Sequence, residues 1–380
     1  MRRPRPIACR TAAVSIALLA SVLLPSTAFA QAPPAQAGDS ARTVAQVADY
    51  WSPERMARAK PLGLPSAGPE APQASVRGAG GQPVTQSGST VSYSSFELTD
   101  TLSYPNRVQG KVFFTKPGGG NFVCSGTVVD AGNSSTVITA GHCVHQAGSW
   151  SSNFAFAPGY RRLNGSGNAP YGIWPASDEA APQPWVDSEN LKYDVGAAVI
   201  ARNTAGQTLQ GAVGARPIAF NQPTAQNYRS YGYPAVPTSA HPWDGTRLWA
   251  CDSNPPIADS PSTAAGPNTL GIGCDMTGGA SGGGWVTSSG GGSLNGVNSY
   301  KYSSQPDLMY GPYFGSSIKA LYDFAAAEPP GTPRSYGAGN SIPAVDALNP
   351  IPRLAACKKA KKKVKRRRAC KAQRPSAHRR

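Results

Sequence analysis

The sequence predicts an all-β fold, a barrel or a sandwich, with a single helix near the end of the folded region. Three observations lead there. Short β-rich runs recur after about Phe96: RVQGKVFFT, FVCSGTVV, STVITA, DVGAAVI, LWAC and GGWVT. Clusters of Gly, Pro, Asn and Ser separate them, which is the punctuation of turns between strands. Only SSIKALYDFAAAE, at 316–328, has helical spacing, with Ile318, Leu321, Tyr322 and Ala325 on one face.

Taken in chain order, the N-terminus reads first as an address. Arg2, Arg3, Arg5 and Arg10 form a basic head, Thr11 to Leu24 is a short apolar run, and Ala28-Phe29-Ala30 is a small-x-small site. That order predicts a secretory signal peptide over 1–30, and the apolar run is too short to span a bilayer. A pro-segment is expected over 31–95. It is rich in Ala, Pro, Gly, Gln and Ser, has little to bury, and is expected to be largely disordered. DYWSPERMARAKPL, at 49–62, is the exception. Ser52 can cap a short helix with Pro53 in its first turn, and Trp51 and Met56 can dock it on a partner surface.

The folded region is expected over 96–328, about 230 residues and ample for a buried core. A Pro/Gly linker follows over 329–356, then a basic tail over 357–380. The tail carries 13 of the 36 Lys/Arg and no acid, so most of the formal charge of +16 sits there and in the leading arginines. The remainder is about neutral. Such a tail is either solvated charge or a means of binding polyanions, for example anionic cell-wall polymers at the cell surface. No aromatic residue interleaves with the charges, so sequence-specific nucleic-acid binding is not expected.

Six cysteines follow the signal: Cys124, Cys143, Cys251, Cys274, Cys357 and Cys370. In an exported protein an even number reads as disulfides. No CxxC is present and the chain has only four histidines, so no metal site and no cofactor is expected. Cys124, in the strand before, is the best partner for Cys143, and closing that loop would contribute about 3 kcal/mol. Cys251 is expected to pair with Cys274, bracing the approach to the glycine-rich turn that follows. Cys357 and Cys370 bracket the basic run.

The chemistry concentrates in three places. In STVITAGHCVHQ a β run ends at Ala-Gly, and His142 follows beside Cys143, at the rim of a core. His145 is the other candidate there, while His241 lies in a Pro-containing loop and His378 in the tail. Asp194 heads the apolar run DVGAAVI, where an unpaired carboxylate would be expensive to bury. It is a better histidine partner than Asp178, Asp187 or Glu189, which lie in a polar loop. CDMTGGASGGGW, at 274–285, sets Ser281 among glycines. It is not a phosphate loop, since no Lys-Ser/Thr follows. Gly279, Gly282 and Gly283 permit a tight turn whose Gly279 and Ser281 N–H groups could converge on one point, as an oxyanion hole requires.

TAGHC, YDVGAAVI and GGASGG, in the order His, Asp, Ser, resemble the chymotrypsin-like (trypsin-like) serine peptidases. The CDMTGGASGG form and YWSPERMARAKPL are similar to the secreted bacterial, glutamyl-endopeptidase-like branch. The resemblance covers about 96–328. It implies two six-stranded antiparallel β-barrels with a C-terminal helix and a disulfide beside the histidine. It further implies a secreted, monomeric serine endopeptidase acting on protein or peptide substrates. Ser281 would be the nucleophile, His142 the general base, Asp194 its orienting acid, and Gly279 and Ser281 the oxyanion donors. A binding protein descended from such a peptidase but inactive is the alternative function, and the intact His, Asp and Ser weigh against it.

Two positions depart from the family pattern. Ala280 stands where many members carry the acid that pairs with a new N-terminus on activation, so the pro-segment must act otherwise, by assisting folding or covering the cleft. Gly284 stands where a proline commonly follows. By the same resemblance the substrate pocket has its floor near Asp275 and Met276 and its wall near Asn298 and Ser299. Asp275 suggests basic or broad specificity, and no histidine stands on the wall segment to favour glutamate.

Overall fold

The computed structural model describes residues 44–68, 91–116, 118–331 and 338–345. Residues 1–43, 69–90 and 346–380, which hold the expected signal peptide, much of the expected pro-segment and the expected basic tail with Cys357 and Cys370, lie outside the described residues. No helix among the described residues is long and apolar enough to cross a membrane.

The capping chemistry read at 49–62 folds as anticipated. Two short helices, α1 (Val44–Tyr50) and α2 (Pro53–Arg58), precede a two-residue strand, β1 (Lys60–Pro61). The Ser52 side chain accepts from Arg55 N, and Pro53 opens α2 where no N–H is missed. Trp51 and Met56 are buried in a core cluster with Phe113 and Val123. This part of the segment expected to be largely disordered is therefore ordered, because a few large apolar residues are enough to seat it.

After β2 (Tyr93–Glu97), and apart from four strands of two or three residues, come β3 (Gln109–Thr115), β4 (Asn121–Val129), β5 (Thr136–Thr139), β6 (Ser152–Pro158), β7 (Trp174–Pro182) and β8 (Gly196–Ile200). They pair antiparallel in the order β4-β3-β6-β7-β8-β5, and β5 returns to pair with β4, so the ring is closed. Side chains alternate across it as strand geometry requires. Val112 and Phe114 join one core cluster while Phe113 joins the other. β5 covers β4 only over Thr127–Val129, so the β4 edge at Phe122 and Val123 is left to β1.

The second half is built differently. Its strands are β9 (Tyr228–Gly232), β10 (Trp249–Ser253), β11 (Ile257–Asp259), β12 (Thr269–Gly273), β13 (Gly284–Thr287), β14 (Leu294–Val297) and β15 (Leu308–Gly311). One sheet runs β14-β13-β9-β10-β2, and a second runs β11-β12-β15. The second six-stranded barrel implied by the family resemblance is thus two sheets, with no closed ring of hydrogen bonds among the described residues.

The helix read at 316–328 is α3 (Ser316–Ala327), burying Ile318, Leu321 and Ala325. Within the expected linker, β16 (Asn340–Ile342) pairs parallel with β7.

Candidate active site

The end of β5 delivers His142. Ala140 is extended, and Gly141–Val144 form one helical turn. Cys143 in that turn is bonded to Cys124 on β4, the pairing expected. Gly141 is required where it stands: a Cβ there would lie 2.8 Å from the Trp185 ring and 2.9 Å from Asp194 Oδ1. Trp185 also faces the His142 ring edge-on, at 6.3 Å between centroids.

Asp194 caps a short 3-10 turn immediately before β8. Its Oδ1 accepts from the His142 backbone N–H (2.8 Å) and its Oδ2 from His142 Nδ1 (2.8 Å). Ser299 Oγ donates to the same Oδ2 at 2.5 Å. Since a carboxylate can only accept, the His142 proton sits on Nδ1 and the lone pair on Nε2. That is the tautomer a general base needs. His145 is set aside by its surroundings. It packs 4.9 Å from the Trp150 ring, and burial pushes its pKa down.

Ser281 lies in a turn fixed by its own backbone. Gly279 and Gly282 have φ of +96° and +76°, open to glycine and strained for other residues. Ser281 O accepts from Ser125 N (2.7 Å), and Gly282 N donates to Asn298 O (2.8 Å). A Cβ on Gly282 would come within 2.1 Å of Thr139 Oγ1 and 2.6 Å of Ala140 N, so the serine turn is pressed against the end of β5 that carries His142. Cys251 and Cys274 are bonded, bracing the approach. His142, Asp194 and Ser281 are each 0% exposed, and neither His142 Nε2 nor Ser281 Oγ has a hydrogen-bond partner.

Comparison with known proteins agrees with this arrangement. No protein-family model matches the chain. The crystal structure of the protease Anisep from Arthrobacter nicotinovorans matches at 42% identity and a TM-score of 0.54, over 62% of this chain and 100% of that one. The thermostable serine protease AL20, from an extremophilic microorganism, matches at 40% identity and a TM-score of 0.52, over 58% of this chain and 97% of that one. The chain belongs to the chymotrypsin-like serine proteases. Among curated proteins, an "Extracellular metalloprotease" of Bacillus subtilis (strain 168) is 30% identical over 152 residues, 40% of this chain. The chain matches only 46% of that protein's length.

The curated relative's name implies a metal, and the residues of this serine protease do not fit one. Among the described residues, Cys124, His142 and Cys143, and separately Cys251, Cys274 and Asp275, bring ligand-type atoms within 4.8 Å of one another. Each group contains a disulfide, whose sulfurs are not thiolates and make no metal donor set.

The four residues expected to line the substrate pocket lie in different settings. Asp275 is partly exposed, as a pocket floor would be. Its Oδ2 lies 3.1 Å from His241 Nε2, and Ser95 Oγ donates to it at 3.3 Å. Met276 is fully buried in the core beneath β9 and β13. Asn298 is a buried hub, its side chain joined to Ser230, Trp285 Nε1, Tyr231 O and Ala280 O. Ser299 is buried and turned to Asp194. The sequence signalled neither the Ser299 role nor the His241–Asp275 contact, because both depend on which distant strands meet. The two family departures also find their places. Ala280 is 0% exposed in an apolar cluster, and a Cβ on Gly284 would come within 2.5 Å of Thr127 Oγ1.

Proposed function

We propose that this protein is a secreted serine endopeptidase working through an acyl-enzyme on Ser281. His142 Nε2 takes the Ser281 proton as Oγ attacks the peptide carbonyl. The Gly279 and Ser281 N–H groups stabilise the oxyanion that forms. His142 then gives the proton to the leaving amine as the C–N bond breaks. Water, deprotonated by His142, next cleaves the ester and regenerates Ser281. Asp194 fixes the tautomer and stabilises the imidazolium throughout.

The observation that carries the reading is the Asp194 carboxylate. One oxygen holds the His142 backbone and the other holds Nδ1, which leaves Nε2 as the base. The signal-like N-terminus, the two disulfides and the extracellular relative support export. Specificity is proposed to depend on Asp275. With His241 beside it and Lys301 within electrostatic reach, its charge is partly met, which favours broad over strictly basic selection.

Labelling with a fluorophosphonate probe tests the nucleophile. Activated protein should label, and Ser281→Ala should not. Equal labelling of the two, or none in any activated form, would refute the mechanism.

A further inference from the structure

Ser281, the nucleophile that the proposed function requires, is 0% exposed, and an upstream stretch of the chain lies against the glycine turn that carries it. After α2, residues 60–67 cross from the first half of the molecule to the second. Lys60 and Pro61 pair parallel with Phe122 and Val123 of β4, and Leu62 N donates to Val123 O at 3.1 Å. Gly279 N, one of the two proposed oxyanion donors, gives its hydrogen bond to Leu62 O at 3.1 Å. A Cβ on the neighbouring Gly278 would sit 2.9 Å from that same oxygen and 3.4 Å from Gly63 Cα. The Leu62 side chain is buried in the cluster that includes Cys124 and Cys143. Further along, Lys301 N donates to Pro65 O and Ala67 N donates to Lys301 O, both at 3.2 Å. Lys301 lies two residues beyond Ser299, which holds Asp194.

We infer that residues 60–67 are a built-in inhibitor, seated along the substrate cleft with the Leu62 carbonyl occupying the oxyanion donor. The inference rests on the Ser281 reading and adds its regulation. Three features make the segment an inhibitor. It uses main-chain hydrogen bonds to edge groups on both halves, the way an extended peptide is held. It consumes the Gly279 N–H, which is then closed to any other carbonyl. It also coexists with a Ser281 Oγ and a His142 Nε2 that lack partners, so the serine is not activated while the segment is in place. The anchor lies just upstream. Trp51 is buried against Phe113, with its Nε1 donating to Asn153 O at 2.6 Å, and Met56 is buried beside it. Tethering there raises the segment's effective concentration at the cleft, so modest contacts suffice to hold it. The arrangement also supplies what Ala280 removes, a control of activity that needs no acid beside the nucleophile.

The test measures the rate of fluorophosphonate labelling in the full chain, with Ser281→Ala as the blank. Leu62→Asp puts a charge in the apolar seat, and Ala67→Pro removes the donor to Lys301 O at a partly buried position beside Tyr300 and Tyr310. Leu62→Asp should label at least about tenfold faster than wild type, since losing a buried leucine's packing shifts such an equilibrium by that much or more. Ala67→Pro should label severalfold faster and serves if Leu62→Asp does not fold. Wild type labelling as fast as both variants would overturn the inhibitor and leave the Ser281 mechanism standing. No labelling in any form would overturn both. Cleavage between Leu62 and Gly63 in wild type but not in Ser281→Ala would also overturn it, because the segment would then be a substrate.

Discussion

The two halves of the molecule divide the site between regular and irregular backbone. The first half is a closed ring of six strands, and it carries His142 and Asp194 at strand ends. The second half is two sheets joined by Gly- and Pro-rich segments, and it carries Ser281, Ser299 and the Asp275 region. The division follows from what each part must do. An acid and a base must keep one distance, and neighbouring strands β5 and β8, paired at Gly196 and Thr139, set it. A nucleophile turn must aim backbone N–H groups outward at positive φ, which a regular strand cannot do.

The largest expected effects test whether the halves form one catalytic unit. Ser281→Ala should lower kcat on the order of ten-thousand-fold or more. Asp194→Asn should lower it about ten-thousand-fold, because the amide favours the wrong histidine tautomer. Although the two changes lie in different halves, the residues are proposed to act as one unit, so their double variant should be hardly worse than Ser281→Ala alone. A double variant showing the product of the two losses would break the assignment to one unit. Steady-state kinetics on protein in the same processing state gives all three numbers.

Ser299→Ala sharpens the same contrast, since it is the second half's hold on the first half's acid. A hydrogen bond to a charged group is worth about 1.5–3 kcal/mol. kcat should therefore fall roughly tenfold to a hundredfold with KM little changed. A rise in KM alone would return Ser299 to the pocket wall where the sequence had put it.

The disulfides offer a matched pair of changes, one per half, with sequence separations of 19 and 23. Loops so similar in length should cost about 3 kcal/mol each on removal, by the chain-entropy estimate. The functional consequences should differ. Cys124→Ser with Cys143→Ser frees the His142 turn and should lower kcat. Cys251→Ser with Cys274→Ser frees the approach to Asp275 and should alter substrate preference more than kcat. Thermal unfolding and a peptide-library profile, measured on both, separate the two outcomes.

The sequence exposed one half more fully than the other. His142 was legible because an apolar run ending at Ala-Gly places the next residue at a rim, and Asp194 because a carboxylate heading a buried strand needs a partner. Ser281 was legible from its glycines. The family resemblance puts Asn298 and Ser299 on the pocket wall, and a small polar residue suits a wall or a strut equally. Only the meeting of segments 105 residues apart made Ser299 a strut for Asp194. The inhibitory segment was hidden for a related reason. KPLGLPSA has no strand or helix period, because its hydrogen bonds go to β4, Gly279 and Lys301 rather than to itself. Ring closure is equally invisible in the sequence, as strand-forming runs look alike whether or not their edges close.

Lys111 gives the smallest expected effect and the most direct measure of how the halves are joined. It projects from β3 in the ring, is 5% exposed, and donates from Nζ to Gly245 O in the second half at 2.7 Å. Its ammonium lies 5.0 Å from the Tyr160 ring centroid and 5.5 Å from that of Phe113. Burial pulls its pKa down to about 8, with Asp244 opposing the shift. A lysine with a depressed folded pKa binds fewer protons folded than unfolded between that value and its ordinary range. Stability should then rise with pH from about 8 to about 10.5, where both states are neutral, and stay at its lower level below about 8. Lys111→Met removes the buried charge at the cost of the Gly245 contact. The gap in Tm between wild type and Lys111→Met should therefore move in favour of wild type as pH rises through this window, by up to roughly 10 °C. A gap that does not change with pH would mean that the ammonium is solvated, and that the two halves are not joined through a buried charge at this point.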